Sequence, residues 1–243
     1  MVTPAGRSVI DAPGTDEVTW RAWPELARLP VADITSWSSA VVLAAHPDDE
    51  VLAVGGLMSL LAAAGTRLAL IAVTDGEASH PGIAEPAALA ERRVAETAAA
   101  LRLLGAGGAQ VVRLRLPDTG LAEREDQITA LLRDLTAGFD VCLAPWEKDA
   151  HADHEAVGRA ARRASPRTIF YPVWTWHWAF PGDPRVPWHG AVRVPLPPEV
   201  AARKRAAIEC FASQLEARPA DAGPVLSPAT IAHFTRATEV LFR

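Results

Sequence analysis

Val41-Val42-Leu43-Ala44-Ala45-His46-Pro47-Asp48-Asp49-Glu50 runs a strand-like apolar stretch straight into one histidine and three acids. About a hundred residues later, Val141-Cys142-Leu143-Ala144 leads to His151-Ala152-Asp153-His154. Unbroken apolar runs of this length suit strands buried on both faces of a parallel sheet. Pro47 disfavours helix at its own position and the one before it, so the acids project from a tight strand-to-helix turn. Nitrogen and oxygen ligands at the ends of two buried strands are what a Zn²⁺ site with an open coordination position requires.

Outward from these segments the periodicity alternates between strand and helix. Strands are expected at 41–45, 67–74, 110–116, 140–144 and 168–173, and helices at 50–64, 86–104, 122–137 and 154–164. The fold class is α/β, a parallel sheet flanked by helices. In the common strand order 3-2-1-4-5, the first and fourth strands are neighbours whose crossovers leave in opposite directions. His46 and His154 would then meet across one crevice at the carboxyl edge. Residues 1–40 read as an N-terminal arm with a short helix near Trp23–Arg28, and 41–174 as the core. Residues 175–243 read as a C-terminal extension of the same domain that completes the substrate pocket. In that extension the periodicity predicts a strand at 191–196 and helices near 198–215 and 228–242.

At 243 residues with 49% hydrophobic content, the chain can bury one full α/β core. A net charge of −5 argues against a nucleic-acid partner, which selects for a basic stripe. No stretch approaches the roughly 20 apolar residues of a membrane span. Met1 to Thr15 carries no apolar run after its charge, so no signal peptide and a cytoplasmic location are expected. Cys142 and Cys210 read as buried small residues without metal-ligand spacing.

Each acidic or histidine motif has a plainer explanation on its own. Asp-Asp-Glu at a helix start is favourable through capping and the helix dipole alone. Placed together after two neighbouring strands, the motifs read as a metal site. One acid is then free to bind the ion and another to face its water. Zinc suits the mixed set, and Fe²⁺ or Co²⁺ can substitute. Binding of a nucleotide or sugar without catalysis is the rival reading. Against a nucleotide, the first turn lacks Gly-X-Gly-X-X-Gly and sets three acids where phosphates would sit. His80, His189 and His233 read as surface residues, and Arg203-Lys204-Arg205 as a solvated helix face. Trp174, Trp176 and Trp178 alternate like a strand, and Trp176 is a candidate aromatic wall for a sugar or an apolar aglycone. An interface between copies of the chain is the alternative use of those indoles.

The motifs in order resemble the PIG-L/LmbE-like zinc-dependent N-acetylglucosamine deacetylases over about residues 41–165. Ala45 to Glu50, Thr74-Asp75-Gly76-Glu77-Ala78-Ser79, Arg93 with Glu96, Leu116-Pro117-Asp118 and the histidine motif carry the likeness. The resemblance implies a Rossmann-like sheet and hydrolysis of an N-acetyl group on an amino-sugar glycoconjugate. It implies His46, Asp49 and His154 as zinc ligands, Asp48 as general base and His151 facing the developing oxyanion. Arg93 and Asp118 align with substrate-contacting positions of the mycothiol-pathway branch. Two positions depart from the family pattern. Ala152 stands where proline is usual, and Asp149 where that branch has tyrosine.

Overall fold

The computed structural model describes residue 10 and residues 13–82, 85–218 and 223–243, so the first nine residues of the expected arm lie outside the described residues. The strands are β1 (Ser39–Ala44), β2 (Arg67–Ala72), β3 (Gln110–Arg113), β4 (Val141–Pro145), β5 (Thr168–Tyr171), β6 (Ala191–Pro195) and β7 (Thr238–Phe242). They form one sheet in the order β3-β2-β1-β4-β5-β7-β6. The first five run parallel in the expected order, and β7 joins β5 and β6 antiparallel. Every residue of β1 and β4 is buried, as central strands covered on both faces must be.

Two short helices, α1 (Glu17–Arg21) and α2 (Pro24–Arg28), precede the sheet. The crossovers are α3 (Asp49–Ala63), α4 (Pro86–Leu103), α5 (Glu125–Thr136) and α6 (Ala152–Ala164). The C-terminal third adds α7 (Thr175–Trp178), α8 (Pro198–Ile208), α9 (Ala212–Leu215) and α10 (Pro228–Ala232). Among the described residues no helix is long and apolar enough to cross a membrane.

Several expectations are overturned here. The helix expected at 228–242 stops at Ala232, and Thr-Glu-Val-Leu-Phe becomes β7. A short apolar run does not reveal its period, and burial between β5 and β6 decides for strand. The alternating tryptophans are not a strand but the one-turn helix α7. His233 is buried, with Nδ1 2.9 Å from the Glu17 carboxylate. Lys204 is buried too, its Nζ 2.7 Å from Glu239 Oε1. His80 is buried with its Nδ1 on Ser79 Oγ, whereas Cys210 is only partly buried. Each of the buried polar side chains sits inside because a neighbour in the fold satisfies it, which the local pattern does not show.

The helix α3 is broken at Val54, whose φ of −132° and ψ of 18° leave helical geometry. The break frees the backbone N–H groups of Gly56 and Leu57, and both donate to the Glu239 carboxylate of β7 at 2.7 and 2.8 Å. One buried acid thus caps the second half of α3 from across the fold, and Lys204 neutralises it.

Candidate metal and catalytic site

The turn after β1 is built for display. Asp48, the residue that caps α3, has a φ of 120°, a conformation that costs an L-residue energy and recurs at functional sites. Ala150 (φ 66°), just before His151, and Thr119 (φ 67°), just after Asp118, share the left-handed region. Three such residues therefore adjoin the same site. The His46 backbone N–H donates to Asp49 Oδ2 at 2.9 Å, which holds that carboxylate toward the turn. Its other oxygen, Oδ1, lies 3.2 Å from His154 Nε2, and Asp49 Oδ2 lies 3.7 Å from His46 Nδ1. One imidazole nitrogen from each of His46, His151 and His154 lies within 4.8 Å of the other two.

These side chains floor a cleft of about 450 Å³ that is also lined by Asp48, Arg93 and Asp118. Ile10, Val173, Trp174, Val225 and Leu226 form its apolar part, with His177, Gln214 and Arg218 among the polar groups. Trp176 does not line it. That indole is 4% exposed, packed edge-on to Trp20 at 5.1 Å and beneath the Arg236 guanidinium at 4.1 Å. Of that tryptophan run, Trp174 lines the cleft, whereas Trp176 belongs to a buried cluster that docks α1.

Arg93 and Asp118 are held by the site itself. Arg93 Nη2 donates to the Pro47 carbonyl and, at 3.1 Å, to Asp48 Oδ2, while Nη1 reaches the Gly76 carbonyl at 3.0 Å. Gly76 has a φ of 68°, and a Cβ there would collide with the guanidinium. Asp118 Oδ1 lies 3.1 Å from His46 Nε2, and Asp153 Oδ2 lies 3.2 Å from the same nitrogen. Asp153 also accepts from the Thr119 and Leu121 backbones, so it supports His46 rather than facing solvent. Asp149 does the same for His154, accepting from its Nδ1 at 2.8 Å.

Burial and neighbours shift the titrations in opposite directions. Burial pushes Asp48 up, and with Asp49 beside it the carboxyl stands at about 7 despite Arg93. Burial raises Glu50 to about 8. Burial opposes charge on His46, but hydrogen bonds to Asp118 and Asp153 overcome it and lift the imidazole to about 9. His154 is lifted to about 10, because Asp49 and Asp149 outweigh its burial. For Asp49, burial is outweighed by His154 and His46, which hold it well below the usual carboxylate range. His151 is driven down to about 3 by burial and by the charges of His154 and His46.

The donor set fits a divalent ion. His154 Nε2 is buried without a hydrogen-bond partner and faces Asp49 and the His46 ring. Protons on His46 and His154 balance the carboxylates packed around them, and an ion would balance the same charge.

A profile of the GlcNAc-PI de-N-acetylase (PIG-L) family matches residues 41–165, just over half of the chain and the part that holds His46, Asp48, Asp49, Asp118, His151 and His154. The chain belongs to the GlcNAc-PI de-N-acetylase family. A curated relative is 1D-myo-inositol 2-acetamido-2-deoxy-alpha-D-glucopyranoside deacetylase 2 of Catenulispora acidiphila. It is 28% identical over 154 residues, which cover 52% of this chain and 51% of that protein. This PIG-L family member thus spans about half the length of that relative. Among solved structures, a conserved protein of Thermus thermophilus is 29% identical with a TM-score of 0.55, covering 74% of this chain and 81% of that one. The N,N'-diacetylchitobiose deacetylase of Pyrococcus horikoshii has a TM-score of 0.57, covers 82% and 80%, and at 20% identity shares the fold. Asp149 is not among the site residues expected from the sequence, and Trp174 belongs to the tryptophan run expected to form an aromatic wall, with Trp176 as the expected contact. The one available signal for Asp149 is an acid two residues before a ligand-type histidine.

Proposed function

We propose that this PIG-L family member is a metal-dependent hydrolase that removes the N-acetyl group from an N-acetylglucosamine-type sugar. The observation that carries this reading is the convergence of His46, Asp49 and His154 on one cleft floor, with Asp48 and His151 beside them. His46, Asp49 and His154 would hold the ion, with zinc favoured by the mixed nitrogen and oxygen donors. A divalent ion bound there supplies Lewis-acid polarisation of the amide carbonyl and acidifies a water molecule. Asp48, poised near neutrality, takes the proton of the attacking water and returns it to the leaving amine. His151 acts as a neutral donor and not as an imidazolium. Its Nδ1 accepts from the Asp153 backbone N–H at 3.3 Å, so its proton sits on Nε2, facing the developing oxyanion.

Beyond the polar floor, Ile10, Val173, Trp174, Val225 and Leu226 suit an apolar aglycone, as in a glycosylated antibiotic intermediate. Acetate release from N-acetylglucosamine, N-acetylglucosaminyl-inositol and a glycopeptide pseudoaglycone tests this, alongside elemental analysis of unchelated protein. The expected result is bound zinc and preference for the conjugate, weakened in Trp174→Ala. Full activity in metal-free protein would overturn the mechanism, and preference for the free sugar would overturn the aglycone.

A further inference from the structure

Asp149 is fully buried, yet it meets five donors. Its Oδ1 accepts from the backbone N–H of Val173 at 3.1 Å and of Thr175 at 2.9 Å, and from Thr175 Oγ1 at 2.5 Å. Its Oδ2 accepts from the Trp174 N–H at 2.9 Å and from His154 Nδ1 at 2.8 Å. Its own carbonyl accepts from Trp178 Nε1 at 3.1 Å. A carboxylate has about four lone-pair positions, so this one is saturated and has none left for a reacting proton. Its work is therefore to position other groups. The segment it gathers, Val173-Trp174-Thr175, is the one that puts Val173 and Trp174 into the cleft wall. The histidine it holds is the one whose Nε2 is buried without a hydrogen-bond partner beside Asp49.

We infer that Asp149 is a positioning residue that sets two things at once: the tautomer in which His154 presents Nε2 to the metal, and the place of the Trp174 wall. Both Asp149 oxygens only accept, so the proton on His154 Nδ1 is the one held in place, and it is Nε2 that gives up its proton and offers its lone pair when an ion binds. The inference rests on the hydrolase reading above. Asparagine makes the sharpest substitution because it keeps the size and changes one acceptor into a donor. Its oxygen would take over the contacts of Oδ1, the side with three donors. Its amide would then face Trp174 N–H, which loses its acceptor, and His154 Nδ1, which would have to surrender its proton to Nε2.

Zinc affinity is measured by competition with a chromogenic chelator for the wild-type protein and Asp149→Asn, with circular dichroism confirming that both are folded. Asp149→Asn should bind zinc about 10- to 100-fold more weakly, the usual cost of losing such a partner. Long-range proton–nitrogen NMR of the zinc-loaded wild type should show His154 bound through Nε2 with an exchange-protected proton on Nδ1. A folded Asp149→Asn protein with wild-type zinc affinity would overturn the inference. If the variant does not fold, the NMR decides, and a His154 bound through Nδ1 or lacking the protected proton overturns it equally. Failure of the wild type to bind zinc at all would instead remove the hydrolase reading and this inference with it.

Discussion

Asp48 carries the argument at the scale of single residues. Its carboxylate is paired with the buried Arg93 guanidinium, and that contact changes what the arginine is expected to do. As a sugar contact, Arg93 would matter chiefly to KM. As a buried group 3.1 Å from Asp48, the proposed base, it should act on kcat. Asp48→Asn should retain metal and lose at least about two orders of magnitude in kcat. Near-normal turnover in that variant would pass the base role to Glu50, whose Oε2 accepts from the Asp48 N–H. The guanidinium lowers the pKa of Asp48, so its removal raises it. A base works when deprotonated, so the acid limb of the kcat profile in Arg93→Met should move to higher pH. An unmoved limb with a raised KM would return Arg93 to the role of sugar ligand. Asp118, 3.1 Å from His46 Nε2, should likewise affect metal affinity in Asp118→Ala before it affects KM.

At the scale of elements, the broken helix α3 is the sensitive member. It carries Asp48 and Asp49 at its start and depends at Gly56 and Leu57 on an acid from β7. Replacing Glu239 by alanine leaves two orphaned N–H groups and the buried Lys204 ammonium without its partner. Breaking a buried pair on one side costs about 3–5 kcal/mol, so Glu239→Ala should show a large drop in urea midpoint. The double variant Glu239→Leu with Lys204→Met should recover much of the loss, because an apolar pair leaves no charge to solvate. A Glu239→Ala protein with an unchanged midpoint would show that the cap contributes nothing. The α7 turn illustrates the same dependence: with three consecutive N–H groups drawn to Asp149, residues 173–175 cannot offer them to a strand partner.

For the whole molecule, the N-terminal helix is latched to the C-terminal segment by charge. Glu17 of α1 accepts from Arg236 and His233, more than two hundred residues away. Burial alone would raise the Glu17 pKa, but the hydrogen bonds from His233 and Arg236 prevail and hold it at about 2. A carboxylate held below its unfolded value stabilises the fold above that value, and the contribution is lost as pH falls. The window here runs from about 4.5 down to about 2. Urea denaturation from pH 7 to pH 3 should therefore narrow the gap between wild type and Glu17→Gln. A gap that stays constant with pH would deny Glu17 that role.

What the sequence by itself determined was the central sheet and the groups at its carboxyl edge. Buried parallel strands write themselves as unbroken valine and leucine runs, and the topology then forces the ends of β1 and β4 together. His46, Asp48, Asp49, His151 and His154 were legible for that reason. Only the tertiary structure decided what holds them. Asp149, Asp153, Asp118 and Arg93 meet them in hydrogen bonds and ion pairs that the fold alone assembles, and no local period records such a pairing. Trp176 and Trp174 sit two residues apart in one tryptophan run, yet one packs against α1 and the other lines the cleft. Thr238 to Phe242 became a strand because an open position remained between β5 and β6. In each case the burial offered by a distant element outweighed the preference of the local segment.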